Sequence, residues 1–492
     1  MYNFAKENDL DVVNPKVVRT KGWSWGWEEF KENVVGAEKI GVKAMGPMTV
    51  PKLYKKDFLT KNELYFSEGE RIWWEDVMFS CLVYSKNPRI GILADYPIYH
   101  WREQNRSASF GKDLEYKWSQ LTNLALFFEN NLEQADRDTM VAHWYKSRVL
   151  GAIRNKFHDK KEETQAIEFK NAKQWKERYV NQNVTNELTT SDKILDTILE
   201  LDNPALAYSL SESKAGITAR SYVTDVSFED DAILISSSLA ITKNEEEKVK
   251  FSGKPAKVKI ELPKDVAEAI PKELHYYGEN DSFDNMYLPA LKGRFTRTTW
   301  DLKDIVQTDF NYGRALLKFT VGATLTFRLK LDDYIQDKED KYQPWDLATR
   351  FSYLDQFSQR AIACKAGFKK AAIMNGNTYV IYKNNSELLS IDLNSTIMNF
   401  FSVATVDHSK ATVNGTVISV PITDVHAYGD SNREYLASIY NSETEEFADS
   451  TARIIVQDQK AVLEIDNPNE LTGECHVDIA LGEKSHSLTL SI

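Results

Sequence analysis

Cysteine is scarce in this sequence, and long apolar runs are missing. Only Cys81, Cys364 and Cys475 occur among 492 residues, far apart and without the spacing of a metal site or of an even disulfide framework. A reducing compartment therefore fits best. No stretch of about 18 apolar residues is present that could form a transmembrane helix, and the charged first residues lack the apolar segment of a secretory signal. The sequence thus indicates a soluble intracellular protein.

Positive charge is not in excess either, and the common nucleotide and hydrolase motifs are missing. The formal net charge of −12 argues against nucleic acid as a partner, because binding to a phosphate backbone needs a cationic surface. A local basic cleft for an anionic polymer remains compatible with this charge. The sequence contains no G-x-x-x-x-G-K-[ST], G-x-S-x-G, H-E-x-x-H or C-x-x-C, so it points to no P-loop, serine hydrolase, zincin or thioredoxin-like chemistry.

The chain is long and apolar enough for about three packed domains. Up to about residue 112, short strands and helices alternate, as in α/β proteins; Ile90–Leu93 is one predicted strand. Apolar residues then recur at helical spacing until Asn203-Pro204 breaks the run. The remainder alternates as β-strands, in segments such as 324–331 and 461–465. The predicted fold is multidomain α/β plus all-β, with the units 1–112, a helical linker 113–204, and two β-sandwiches, 205–345 and 346–492, divided at the polar segment 337–344.

Five short segments carry the functional signal, and they occur in a fixed order between residues 52 and 109. They are Lys52-Leu53-Tyr54-Lys55, Leu64-Tyr65-Phe66, Trp73-Trp74-Glu75-Asp76-Val77-Met78-Phe79, Tyr99-His100-Trp101-Arg102 and Ser107-Ala108-Ser109. This order resembles the second half of family-2 glycosyltransferases with the GT-A fold. The overall order of domains is similar to that of the wall teichoic acid poly(ribitol-phosphate) β-N-acetylglucosaminyltransferases, which append a helical linker and immunoglobulin-like trimerisation domains.

The resemblance implies an inverting sugar transfer from a UDP-sugar, with GlcNAc as the expected sugar, to a hydroxyl of a cell-wall polymer. The partners it implies are the UDP-sugar donor, an anionic polyol-phosphate or other cell-wall glycan acceptor, and two further copies of the chain in a homotrimer. It also implies Mn²⁺ or Mg²⁺ in the complete enzyme and a cytoplasmic location, with peripheral contact to the inner face of the membrane as an option. The site residues it indicates are Asp76 and Glu75 as catalytic residues and Lys52, Trp73, Trp74, Arg102, Ser107 and Ser109 as substrate-binding residues.

Asp76 is the expected general base on chemical grounds as well. Inverting transfer needs one carboxylate to accept the proton of the acceptor hydroxyl, and neighbouring tryptophans would keep the pKa of that carboxylate from falling too far. The alternative is that Glu75 and Asp76 only cap a helix and favour its dipole. Trp73 and Trp74 form either a wall for a sugar or part of a core, and the sequence favours one of each.

The roles of one arginine and one histidine stay open. Arg102 either binds the donor pyrophosphate bidentately or forms a surface ion pair. His100 is either a metal ligand or, more commonly for a lone histidine between aromatics, a structural residue.

One metal motif is rejected. Asp9-Leu10-Asp11 spells D-x-D, the metal motif of this fold, but it lies at a helix-to-strand turn. The V-x-D-D segment and the first nucleotide-binding strand are not in the sequence. We therefore expect a truncated enzyme that carries the acceptor side, binds no metal and is inactive by itself. The alternative function is a non-catalytic oligomerisation or glycan-binding module.

Overall fold

The computed structural model describes residues 1–19, 32–67, 72–95, 98–101, 113–154, 156–244, 246–255, 257–278, 283, 286–296, 299–315, 318–334, 342–354, 356–365 and 367–492. In these residues the chain combines helices with several β-sheets. None of the helices in these ranges is long and apolar enough to cross a bilayer.

The first part of the chain is a small α/β unit. Its elements are α1 (Tyr2–Glu7), β1 (Val12–Pro15), β2 (Val17–Arg19), β3 (Val34–Val35), β4 (Leu53–Tyr54), α2 (Lys56–Lys61), α3 (Glu75–Tyr84), β5 (Ile90–Leu93) and β6 (Tyr99–Trp101). The sheet order is β3-β5-β1-β4, with β1 parallel to β5. Val12 and Val13 of β1 are fully buried, as is typical of strands in parallel sheets. The predicted strand at 90–93 is confirmed as β5.

In the described part of the chain, seven helices follow and form the middle of the molecule. They are α4 (Leu114–Asn131), α5 (Gln134–Trp144), α6 (Leu150–Ile153), α7 (Glu162–Tyr179), α8 (Gln182–Asn186), α9 (Thr190–Glu200) and α10 (Pro204–Lys214), and a π-helical turn, Tyr145–Val149, joins α5 to α6. The apolar face of α4 packs inward, through Trp118, Leu121, Leu124, Ala125 and Phe128. One continuous apolar core joins this helical region to α3 on one side and to the β-sheets on the other. The region is therefore a central packing element rather than a linker.

The helical region extends ten residues beyond the boundary predicted at 204. Asn203 accepts a hydrogen bond from the backbone N–H of Ala205 at 3.1 Å, and Pro204 is the first residue of α10. Asparagine at the N-cap and proline at the first helical position both favour the start of a helix. The sequence predicts that the Asn-Pro pair ends the helical region, whereas the pair begins α10.

The described residues in the rest of the chain form three larger sheets. Sheet 1 contains β7 (Ile217–Glu229), β8 (Ala232–Lys243), β9 (Glu247–Lys248), β10 (Lys250–Lys254), β11 (Lys257–Lys259), β14 (Ile305–Ala315) and β15 (Lys318–Leu329); the short helix α11 (Lys264–Ala269) follows β11. Sheet 2 contains β12 (Tyr287–Gly293), β13 (Thr299–Asp301), β16 (Trp345–Tyr353), β17 (Gln356–Ala361), β18 (Lys369–Met374), β19 (Asn377–Lys383), β20 (Leu389–Leu393) and β24 (Val425–Tyr428). Sheet 3 contains β21 (Thr405–Val406), β22 (Thr412–Asn414), β23 (Val417–Thr423), β25 (Ser431–Asn441), β26 (Phe447–Gln457), β27 (Lys460–Asp466), β28 (Glu474–Leu481) and β29 (Lys484–Ser491). The alternating segments 324–331 and 461–465 fall largely on β15 and on β27.

The predicted division into two sandwiches at residue 345 is wrong. Residues 335–341 of the polar segment lie outside the described residues, but strands on either side of it belong to one sheet, since β12 pairs with β16 from Tyr287–Phe351 to Gly293–Trp345. Sheet 2 is also buried on both faces. Ala372 and Met374 of β18 contribute to the core shared with sheet 1 and the helices, whereas Ala371 and Ile373 contribute to the core shared with sheet 3. The three sheets are thus layered, with sheet 2 in the middle.

Candidate active site

The predicted catalytic pair lies at the start of α3. Trp74 is the N-cap residue, with a left-handed backbone (φ 62°) and no side-chain cap, and Glu75 and Asp76 occupy the first turn. Glu75 is exposed and Asp76 is half-buried. The Oδ1 atom of Asp76 accepts a hydrogen bond from the backbone N–H of Val77 at 2.9 Å. Two neighbouring carboxyls therefore stand in different environments at the positive end of one helix.

Burial changes the acidity of Asp76. Burial, and to a smaller extent the charge of Glu75, raises the pKa of Asp76 to about 6, although the Val77 N–H and the charge of Lys52 act in the opposite direction. Desolvation disfavours the charged form of a carboxyl. At pH 7 the carboxylate is still mostly ionised, so it can accept a proton, and it is more basic than an exposed aspartate.

Lys52 supplies the positive charge at this site. Its Nζ donates to the carbonyl oxygens of Pro47 at 2.7 Å and of Thr49 at 2.9 Å. Burial lowers the pKa of Lys52 to about 7, and attraction to Asp76 opposes this shift. Lys52 and Asp76 are thus electrostatically coupled, so the structure brings together two residues that the sequence placed in one site.

A side chain of β1 holds the loop that precedes Lys52. Asn14, which is only 1% exposed, donates through Nδ2 to the carbonyl oxygens of Ala44 at 3.0 Å and of Gly46 at 2.6 Å. A buried amide that satisfies two backbone acceptors constrains their positions strongly. Sequence reasoning missed Asn14. The available signal was a polar residue in the middle of an otherwise apolar strand.

An aromatic group borders the site along α3. The ring of Phe79 stacks on Phe66, with centroids 3.9 Å apart, and meets the edge of Tyr54 at 5.4 Å. Burial raises the pKa of Tyr54 to about 12, and the charge of Asp76 adds to the rise. Tyr54 therefore belongs to the neighbourhood of Asp76, although the sequence did not single it out as a site residue.

Trp73 and Trp74 are held by the helical region. The backbone N–H of Trp73 donates to Oε1 of Gln120 on α4 at 3.1 Å, and the Trp73 side chain is buried. Trp74 is half-buried, and its ring meets Trp144, the last residue of α5, edge to face at 4.8 Å. One tryptophan is therefore in the core and the other is partly accessible. Gln120 and Trp144 lie far away in sequence and carried no signal of this contact.

A third contact links α5 to the α/β unit. Oδ1 of Asp136 accepts a hydrogen bond from the backbone N–H of Val42 at 2.8 Å. Burial, together with the charge of Asp136, raises the pKa of Tyr84 on α3 to about 12. Helix α5 thus contacts both α3 and the segment that precedes Lys52, which fixes the two halves of the site relative to each other.

The rejected metal motif is engaged in ion pairs. Oδ1 of Asp9 lies 3.0 Å from Nζ of Lys55, and Oδ2 lies 3.5 Å from the guanidinium of Arg89. Asp11 accepts a hydrogen bond from the backbone N–H of Arg89 at 3.0 Å. These two aspartates tie the turn between α1 and β1 to β4 and β5. Within the described ranges, no cluster of three or more histidine, cysteine or acidic side chains is placed to hold a metal ion.

The remaining predicted substrate residues lie outside the described residues. These are Arg102, Ser107 and Ser109. Strand β6 ends at Trp101, immediately before Arg102 in the sequence, and it pairs in parallel with β2, with Val17 opposite Tyr99. Their roles therefore stay predictions from the sequence.

Comparison with known proteins gives matches among solved structures alone, since neither a family model nor a curated protein sequence matches the chain. The crystal structure of S. aureus TarS aligns with a TM-score of 0.35 and 15% identity over 99% of this chain and 81% of that chain. S. aureus TarS 1-349 in complex with UDP-GlcNAc aligns with a TM-score of 0.37 and 19% identity over 56% of this chain and 69% of that chain. S. aureus TarS 217-571 aligns with a TM-score of 0.23 and 12% identity over 76% of this chain and 100% of that chain. S. aureus TarS is thus a structural neighbour of this chain.

Proposed function

We propose that residues 1–112 form the acceptor side of an inverting family-2 glycosyltransferase site, with Asp76 as general base. The donor in this proposal is a UDP-sugar, UDP-GlcNAc being the one expected from the sequence resemblance. The acceptor is a hydroxyl of a polyol-phosphate cell-wall polymer. Asp76 accepts the hydroxyl proton while the hydroxyl oxygen bonds to the anomeric carbon, and the bond from that carbon to the UDP oxygen breaks with its electron pair leaving on UDP.

The observation that carries the proposal is the raised pKa of Asp76 at a helix N-terminus. A capping carboxylate is stabilised in its charged form, because it accepts backbone N–H groups and faces the helix dipole. Asp76 differs on two counts. It occupies the second helical position, behind Trp74 at the N-cap, and burial outweighs its helix and lysine contacts, so its pKa rises to about 6. A carboxyl kept basic in this way is suited to proton transfer rather than to capping.

In this proposal the positive charge of Lys52 offsets the negative charge of Asp76. Its two carbonyl contacts fix Nζ, and its attraction to Asp76 keeps that carboxylate ionised in a partly desolvated setting. Trp74, half-buried against Trp144, offers its accessible ring surface to the polyol or sugar. The proposal assigns Mn²⁺ or Mg²⁺ to the complete enzyme and not to Asp9 and Asp11, whose side chains contact Lys55 and Arg89.

The test compares two adjacent substitutions in a protein that joins these residues to a nucleotide-binding half of the GT-A fold. Asp76→Asn removes proton acceptance and keeps the side-chain volume, so transfer from UDP-GlcNAc to a ribitol-phosphate oligomer is expected to be lost while donor affinity by calorimetry is unchanged. Glu75→Gln, at the exposed neighbour, is the matched control and is expected to reduce transfer much less. Transfer by Asp76→Asn at a rate near that of the unchanged protein would show that Asp76 is not the base.

A second proposal concerns assembly, and an exposed apolar face of sheet 3 favours it. Leu436, Tyr440 and Phe447 are 76%, 38% and 58% exposed, and Tyr440 lies directly opposite Phe447 on the neighbouring strand. Apolar side chains grouped in this way are typical of contact surfaces. We propose that this face contributes to a homotrimer. Light scattering across a dilution series of the full chain should give three protomers, and Leu436→Asp together with Phe447→Asp should lower that mass; a monomer at every concentration excludes the assembly.

A further inference from the structure

Five lysines lie on the solvent face of three neighbouring strands of sheet 1. On β10 and β11, Lys254 is directly opposite Lys257 and Ser252 is directly opposite Lys259. Residues directly opposite each other point to the same side of a sheet, and the intervening Phe251 and Val258 are buried on the other side. Strand β15 continues the same face, since Lys318 pairs with Ser252. We call the set Lys250, Lys254, Lys257, Lys259 and Lys318 the lysine face.

The positive charge of the lysine face is mostly uncompensated. Lys318 forms an ion pair with Glu261 at 3.0 Å. In the part of the chain that the structure describes, no carboxylate forms an ion pair with any of the other four lysines, all of which are exposed. Nζ of Lys257 lies 4.8 Å above the ring of Tyr276, which adjoins β11 through a bridge to Lys259. An aromatic ring therefore lies among the cations.

The lysine face is positively charged, whereas the chain as a whole is acidic. Residues 248–259 contain five lysines and no acidic residue, in a chain of net charge −12. Like charges directly opposite each other on a sheet are destabilising, so the Lys254–Lys257 pair costs stability unless an anion lies between the two side chains. Protection of an open sheet edge explains lysines on an edge strand. It does not explain Lys250 on β10 and Lys318 on β15, which lie inside the sheet.

The spacing of the lysines favours a polymer over a single anion. Lys250 and Lys254 are four residues apart along one strand, which corresponds to roughly 13 Å, and Lys257 and Lys259 are two residues apart, roughly 7 Å. One phosphate group cannot reach cations separated in this way. A linear chain with repeated phosphates can contact several of them together, and each added contact releases counterions.

We propose that the lysine face binds a linear polyol phosphate, with phosphates on the lysines and the polyol carbons against Tyr276. The site lies on sheet 1 and shares no residue with the Asp76 site or with the exposed apolar face of sheet 3. Binding of the polymer does not depend on the proposed sugar transfer; only the identification of this polymer with the acceptor rests on it. A chain bound here is held near the protein between successive encounters with a reaction site, which raises its effective concentration.

The experiment measures fluorescence anisotropy of a labelled glycerol-phosphate oligomer titrated with the full chain at several salt concentrations. Affinity is expected to fall with rising salt. Lys254→Gln combined with Lys257→Gln should weaken binding by on the order of tenfold or more, because two phosphate contacts and the counterions they release are lost. The matched control is Lys460→Gln combined with Lys484→Gln, which removes the same charge from exposed positions of sheet 3 and should leave affinity unchanged. A second pair, Lys250→Gln with Lys259→Gln, serves if the first lowers the melting temperature.

The outcomes separate this proposal from the proposed function. Asp76→Asn should bind the oligomer like the unchanged chain, so loss of sugar transfer with intact polymer binding leaves this inference standing. Equal weakening by the sheet 3 control pair would mean that net charge alone governs binding, and absence of binding at low salt would mean that the lysine face has no such ligand; either result overturns the proposal. Tighter binding of a single-stranded oligonucleotide of equal charge would assign the face to nucleic acid instead.

Discussion

Replacing Asp76 by asparagine should stabilise the protein at neutral pH. The substitution keeps the shape of the side chain and an oxygen that can accept the N–H of Val77, and it removes a carboxylate that burial disfavours. Because burial raises the pKa of Asp76 above its ordinary value, folding favours the protonated form. The stability that Asp76 contributes is therefore fully present below pH 3.8 and is lost as pH rises from 3.8 to about 6.

The size of the effect follows from the shift. One pKa unit corresponds to about 1.4 kcal/mol, so a rise from 3.8 to about 6 corresponds to about 3 kcal/mol at pH 7. Asp76 is half-buried, and solvent screening reduces the expected gain to about 2 kcal/mol.

Urea unfolding at pH 7 and at pH 3.5, followed by tryptophan fluorescence, measures this gain. The free energy of unfolding of Asp76→Asn should exceed that of the unchanged chain by about 2 kcal/mol at pH 7, and the difference should disappear at pH 3.5. Glu75→Gln, at an exposed position, should change it by no more than about 0.5 kcal/mol. If Asp76→Asn is less stable than the unchanged chain at pH 7, then Asp76 is stabilised in its charged form as a helix-capping group is, and the argument for a general base loses its physical basis.

Three further substitutions test how the site is supported, each by urea unfolding at pH 7. Trp144→Ala removes the ring that meets Trp74 and leaves a cavity, and should cost about 3–5 kcal/mol; a loss below about 1 kcal/mol would mean that α5 does not support the site. Gly91→Ala places a methyl group 2.4 Å from Cδ1 of Leu10 and should cost about 1–3 kcal/mol through overpacking, so an unchanged stability would contradict the close packing there. Asn14→Ala leaves two backbone carbonyls without their donor and should cost about 1–3 kcal/mol. It should also shift the pKa of Lys52, measured by NMR titration. A change in stability without that shift would mean that the loop held by Asn14 does not position Lys52.

Local patterns predicted the elements well, because each depends on a few neighbouring residues. The apolar run at 90–93 became β5, and the helical spacing from Trp118 to Phe128 became the buried face of α4. The position of Asp76 at a helix start was also readable from the sequence. The misses have one cause, which is that the deciding contact lies far away in the chain. Gln120 and Trp144 contact the tryptophans of the site from 47 and 70 positions away, and no local pattern carries that information.

The prediction of a domain boundary at residue 345 is wrong for a related reason. A polar segment separates domains when few contacts cross it, and 337–344 has the composition of such a segment. The pairing of β12 with β16 crosses it, however, and is set by matching apolar faces rather than by composition. Asn203-Pro204 shows the reverse ambiguity, since the same pair of residues can end one helix or begin the next, and the capping bond to Ala205 decides between them.

The interleaving of sheets 1 and 2 has a consequence for the order in which the chain can fold during synthesis. Strands β12 and β13 belong to sheet 2, yet they emerge from the ribosome before β15, which occupies the middle of sheet 1 between β10 and β8. Sheet 1 therefore stays open at its centre until residue 329 has been made, and β12 waits for β16, whose first residue is Trp345. Pairings over such sequence separations form slowly and leave apolar strand edges exposed in the meantime. A nascent chain paused between residues 301 and 329 should therefore hold neither sheet complete, and it should depend on chaperones more than a chain released after residue 428.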